Sequence, residues 1–120
     1  MTLALNFTSK VLGSGVADKL KLGGVLQTVR SRKEAAPFLM KQGSEVPITL
    51  DGQLLYRARI TDIKLRNLGD LTEFDAELGG FDNLWQLKTA LRRAGFRFRP
   101  LGEYEVFAIQ FQPVKGFLVK

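Results

Sequence analysis

Asp51-Gly52 constrains the fold more than any other pair in this chain. Asp-Gly between two alternating stretches signals a tight hairpin, because both central residues of that turn need positive φ. Before the pair, Val46, Ile48 and Leu50 alternate with Pro47 and Thr49. After it, Leu54, Tyr56, Ala58 and Ile60 share one face, with Arg57, Arg59 and Thr61 on the other. Two strands joined by so short a turn run antiparallel. Pro47 cannot donate to a ladder, which points to an edge or an irregular start. The second strand continues through Ile63 and Leu65 with a bulge or a change of face.

Other segments carry equally local signals. Residues 3–8 alternate and read as a first strand. Residues 16–22 form a short helix stopped by Gly23. Leu26–Lys33 alternates as a half-buried strand, and 31–44 reads as a loop containing Pro37. Thr72 and Asp75 have the spacing of a capping box for a helix over 71–78, which Gly79-Gly80 ends. Asp82 is placed to cap a second helix with the stripe Leu84, Leu87, Leu91 and Ala94, stopped by Gly95. Trp85 borders that stripe, where a tryptophan usually packs into the core. Phe96–Arg99 alternates, and 103–112 reads as a central strand with Phe107, Ile109 and Phe111 inward. Val114–Lys120 is a tail or a last edge strand.

The order β α β β β α α β β predicts an α+β fold. Its form is a small, mostly antiparallel β-barrel with two or three short helices covering one opening. At 120 residues the chain makes one domain, residues 1–120, long enough to bury a core without crosslinks.

The residue inventory narrows the chemistry. The chain has no cysteine and no histidine. That excludes disulfides, thiolate chemistry, an imidazole base and a Ser-His-Asp triad. No carboxylate cluster has metal-ligand spacing, so neither a metal nor a cofactor is expected. No apolar run approaches the roughly 20 residues of a membrane span, and residues 1–7 lack signal-peptide character. A cytoplasmic monomer or weak homodimer is the expectation. The net charge of +6 favours polyanions.

Thr28, Arg30 and Arg32 fall on one face of their strand, with Val29 and Leu26 facing the core. One hydroxyl and two guanidiniums just past Gly23-Gly24 suit a phosphate or a polar base edge. The same pattern also fits a solvated strand face. Lys33 extends the cationic set. Arg57 and Arg59 either flank the same cleft or pair across strands with Glu45 or Glu105. Arg92, Arg93, Arg97 and Arg99, interleaved with Phe96 and Phe98, have the composition of single-strand binders. Their alternation equally places the rings inside and the arginines in water.

Three segments resemble the ASCH domain of the PUA-like superfamily. They are Leu5-Asn6-Phe7-Thr8; Asp18 to Lys33, with Gly23-Gly24 ahead of Gln27-Thr28-Val29-Arg30; and Leu71-Thr72-Glu73 to Leu84, followed by Val106–Phe111. The resemblance implies a β-barrel with a cleft beside the motif strand and binding of RNA or modified nucleosides. A bacterial subgroup hydrolyses acetylated cytidine with a threonine, a lysine and a glutamate. By that likeness the threonine maps onto Thr28 and the arginine two residues later onto Arg30. The lysine falls on Val25 and the glutamate near Gly79, with Glu77 two residues away. Valine cannot activate a hydroxyl, so both partners are missing from their family places.

Two functions are therefore carried forward. The first is an RNA-binding module for single-stranded or structured RNA, with Thr28, Arg30, Arg32, Lys33, Arg57 and Arg59 lining a basic cleft. The second is a small hydrolase acting on a modified nucleoside or on RNA, with Thr28 and either Lys33, Lys21 or Glu77 as the candidate catalytic groups.

Overall fold

The computed structural model describes residues 3–98 and 104–114. The elements are β1 (Leu5–Phe7), α1 (Ser9–Leu12), α2 (Ser14–Lys21), β2 (Gln27–Ser31), α3 (Arg32–Ala35), β3 (Glu45–Leu50), β4 (Gln53–Asn67), α4 (Glu73–Leu78), α5 (Leu84–Arg93) and β5 (Glu105–Pro113). Single 3-10 turns follow α3 and β4. The five strands make one mixed sheet in the order β1-β3-β4-β5-β2, curled into a half-barrel. Only β1 and β3 run parallel; every other neighbouring pair is antiparallel.

The hairpin forms as its turn residues require. Asp51 and Gly52 adopt φ of 51° and 84° between β3 and β4. β3 is not an edge strand, but β1 pairs only with Ile48–Leu50, so the sheet has no partner there for the missing Pro47 N–H. β4 carries its bulge between Ile60 and Asp62. The bulge moves Ile63 and Leu65 onto the same ladder positions, opposite Ile109 and Phe107. β5 is central and buried on both faces from Val106 to Ile109.

Thr72 and Asp75 complete the capping box expected for α4. Gly80 donates to Glu77 O and Phe81 to Ala76 O, a Schellman ending. Gly80 sits at φ +86°, and a Cβ there would lie 2.9 Å from the Val25 side chain. That position therefore needs glycine for both backbone and space.

Four readings of the sequence are corrected. The stretch 31–44 is not all loop, because Ser31 and Glu34 form a capping box that starts α3. α1 was also missed; Thr8 caps it through Val11 N, but four residues are too few to show a helical period. Five short α-helices are thus present among the described residues. α5 is capped by Asn83, which accepts from Gln86 N, and not by Asp82. Phe96–Phe98 is not a strand: Phe96 N completes the α5 ending on Leu91 O. Arg99 and the tail beyond Val114 lie outside the described residues.

The core joins both layers. Val16, Ala17 and Leu20 of α2 and Leu87, Ala90 and Leu91 of α5 pack with the inward residues of the strands. Tyr56 is buried rather than at a rim, and its hydroxyl donates to Leu20 O at 2.7 Å. Burial raises its pKa to about 12, so it stays neutral and ties α2 to β4.

Candidate functional site

The sheet curls until its two end strands, β1 and β2, approach each other without pairing. Arg30 spans that seam. Its Nη2 donates to Asn6 O at 2.8 Å, and its guanidinium lies 4.9 Å from the centroid of the Phe7 ring. Its Nε donates to Thr28 Oγ1 at 3.0 Å. A guanidinium is suited to this place because its flat face stacks while its edge donates in several directions.

A cavity of about 250 Å³ lies at this seam, closed over by α1 and α5. Its wall is mainly apolar, with Phe7, Leu12, Val25, Phe81, Leu91 and Phe96 prominent. Its polar groups include Asn6, Thr8, Gln27, Thr28, Arg30 and Glu34. An apolar hollow with a few convergent polar groups is the usual form of a small-ligand site.

The orientation expected for β2 is corrected. Thr28 stands opposite Ile109 and Arg30 opposite Phe107, while Gln27 and Val29 stand on the other side, opposite Gln110 and Ala108. Both faces are covered. Gln27 and Val29 are buried, and Thr28 and Arg30 are half-buried. Alternation fixed which residues share a face, but not that each face would be packed against something.

Burial lowers the pKa of Arg30 from its usual value, and the nearby charge of Glu34 acts in the opposite direction. Glu34 spends its Oε1 on Ser31, at 3.4 Å from the backbone N and 3.1 Å from Oγ. The guanidinium therefore keeps a carboxylate nearby without a direct ion pair among the described residues. Sequence reading passed over Glu34, although Ser31-x-x-Glu34 carried the capping-box signal.

The other expected cations do not converge here. Arg32 opens α3, pairs with Glu105 and lies 5.6 Å from the Phe107 ring centroid. Lys33 is exposed on α3 and is not part of the cavity wall. Arg57 and Arg59 lie on the outer face of β4, where both pair with Glu45, at 3.6 and 2.8 Å. That is the cross-strand alternative raised from the sequence. Lys21 pairs with Asp18 at 3.9 Å, and Glu77 is exposed on α4; neither lines the cavity. The positions matched to the family lysine and glutamate, Val25 and Gly79, do line it.

Gln27, in the same cavity wall, belongs to a saturated polar network. Gln110 Nε2 donates to Gln27 Oε1, and Gln27 Nε2 donates to Asp75 Oδ1 at 3.0 Å. Arg66 holds both Asp75 oxygens, at 2.9 and 3.0 Å. Burial alone raises the Asp75 pKa. The bonds from Arg66, Gln27 and the Thr72 backbone outweigh it and hold the carboxyl at about 2. Sequence reading missed this network, whose members are 48 and 83 residues apart.

No family model matches this chain, and no curated protein matches it. Solved structures do. The ASCH domain from Lactobacillus crispatus JV V101 superposes with a TM-score of 0.63 at 18% identity, covering 91% of this chain and 79% of that one. Protein EF3133 from Enterococcus faecalis V583 gives 0.59 at 18%, covering 95% and 78%. The fold is ASCH-like.

Thr28 Oγ1 accepts from Arg30, which leaves the hydroxyl hydrogen to donate to a ligand. Arginine has no acceptor and cannot take that proton. Among the described residues no carboxylate or lysine hydrogen-bonds the Thr28 hydroxyl.

Proposed function

We propose that this protein binds RNA by taking one unstacked base, plain or modified, into the seam cavity. The single observation behind this reading is the Thr28–Arg30 pair in the wall of a mainly apolar hollow of about 250 Å³. Single-stranded or loop RNA is the target, because only there is a base free to leave its stack. Thr28 and Arg30 offer donors to the carbonyls of the base edge, and the ring Phe96 lies in the apolar wall.

Cationic residues without a described carboxylate partner surround the C-terminal end of α5. Arg92 and Lys88 lie 5.0 and 5.6 Å from the Phe98 ring centroid, and Arg93 reaches back to α1. This set, rather than Arg57 and Arg59, supplies the phosphate contacts nearest the cavity. Arg32, Lys33, Arg57 and Arg59 contribute to the general positive field that draws a polyanion in.

Fluorescence anisotropy with short labelled RNAs tests the reading. Affinity should fall steeply as salt rises, and Thr28→Val should weaken it about tenfold at fixed salt. Binding that is absent at low and high salt alike would end it. The hydrolase reading is supported by Glu34 and Asp75 lining the same cavity as Thr28. Turnover of acylated nucleosides that vanishes in a folded Thr28→Ala protein would put it first.

A further inference from the structure

A second hollow, a groove of about 590 Å³, runs between α2 and α5 beside the first. Leu12 and Phe81 line both, so the two share a wall. Trp85, Thr89 and Arg93 follow one another every four residues along α5 and form its far side. They span two helical turns, about 12 Å. On α2 the groove meets Gly15, where an added Cβ would touch nothing within 4 Å. Trp85 is 70% exposed, against the core role its sequence position suggested. A tryptophan this exposed beside an open groove offers its ring face for stacking.

Charge marks both ends. Lys19 lines the groove near Trp85, donating to Gly80 O at 2.9 Å and lying 3.5 Å from Asp82. Arg93 stands at the junction with the cavity. Its Nε and Nη2 both donate to Val11 O, at 2.9 and 2.7 Å, and Val11 lines the cavity. Two fixed bonds orient the guanidinium and leave Nη1 to donate elsewhere.

We propose that the groove takes the nucleotide adjacent to the one in the cavity. Its base stacks on Trp85, and the linking phosphate lies against Arg93. The ligand is then a single strand of at least two nucleotides, not a free nucleoside. This rests on the cavity reading above and deepens it. Stacking on an aromatic side chain suits any base, so the groove adds affinity with little sequence preference.

Trp85 is the single tryptophan of the chain, so its fluorescence reports the groove directly. The experiment titrates the full chain with a uridine hexanucleotide and, separately, with uridine monophosphate. The hexanucleotide should quench Trp85. Trp85→Leu should weaken hexanucleotide binding about tenfold, by anisotropy, and leave the mononucleotide unchanged. Gly15→Leu, which places a side chain in the groove from α2, should do the same, with circular dichroism confirming the fold. Wild-type hexanucleotide affinity in both variants, with loss in Arg30→Ala, overturns the groove proposal and leaves the cavity reading standing. Loss in Trp85→Leu with no effect of Arg30→Ala overturns the cavity reading and the two-nucleotide proposal with it. No hexanucleotide binding to the wild type overturns both. Quenching by an amphipathic peptide and none by RNA assigns the groove to a protein partner and also overturns the proposal.

Discussion

Arg30 on β2 and Arg66 on β4 are both partly enclosed arginines, and they do opposite things. Arg66 closes on Asp75 with two bonds, and Asp75 in turn is held by Gln27 and Thr72. The charges of Arg66 and Asp75 are answered within the fold. Arg30 instead bonds a backbone carbonyl and a hydroxyl, and stacks on a ring. Glu34, whose charge acts on it, bonds Ser31 through Oε1. Residue type is identical; what differs is the hydrogen bonding of the carboxylate near each arginine.

The largest effect should come from breaking the Arg66–Asp75 pair. Asp75→Ala leaves Arg66 and Gln27 without their shared partner, and should cost about 3 kcal/mol of stability in urea unfolding. A loss under about 1 kcal/mol would show that the network is not structural. Acid probes the same group. Asp75 titrates at about 2 in the fold and near 3.9 in an unfolded chain. The unfolded chain therefore takes up the proton first. The stabilisation, roughly 2 kcal/mol, is complete above about pH 4 and drains as pH falls toward 2. Asp75→Asn should flatten that part of the stability profile.

At Arg30 the balance should reverse. Arg30→Ala should cost only about 1 kcal/mol of stability but at least about tenfold in RNA affinity. Arg30→Lys should restore little, since an ammonium cannot stack on Phe7 and donate at both sites at once. Should Arg30→Ala unfold the protein and Asp75→Ala leave it intact, the assignment of the two arginines is wrong. The smallest effect belongs to Arg57→Ala with Arg59→Ala. Glu45 already neutralises that pair, so RNA affinity at moderate salt should change by less than about threefold.

Much of the scaffold was legible because its signals are local. The Asp51-Gly52 hairpin, the α4 capping box and the bulge on β4 each depend on a few neighbouring residues. The short helices were not legible. α1 and α3 have four residues each, one turn, which is less than a hydrophobic period needs. Of the candidate site, Thr28 and Arg30 were found because a strand repeats every two residues and puts them together. Trp85 was misread because a helical stripe tells which residues are neighbours, not whether a second helix covers them.

Read alone, the residue order determined most of the strands, the Asp51-Gly52 turn, the shared side of Thr28 and Arg30, and the excess of positive charge. All of these depend on spacing within a few residues. Only the tertiary structure decided that Arg30 bridges two unpaired end strands, that Glu45 absorbs Arg57 and Arg59, and that Glu34 stands near Arg30 without bonding it. Those outcomes depend on how far the sheet curls and which distant carboxylate arrives first, and electrostatic energy falls off too quickly with distance for composition to foretell either.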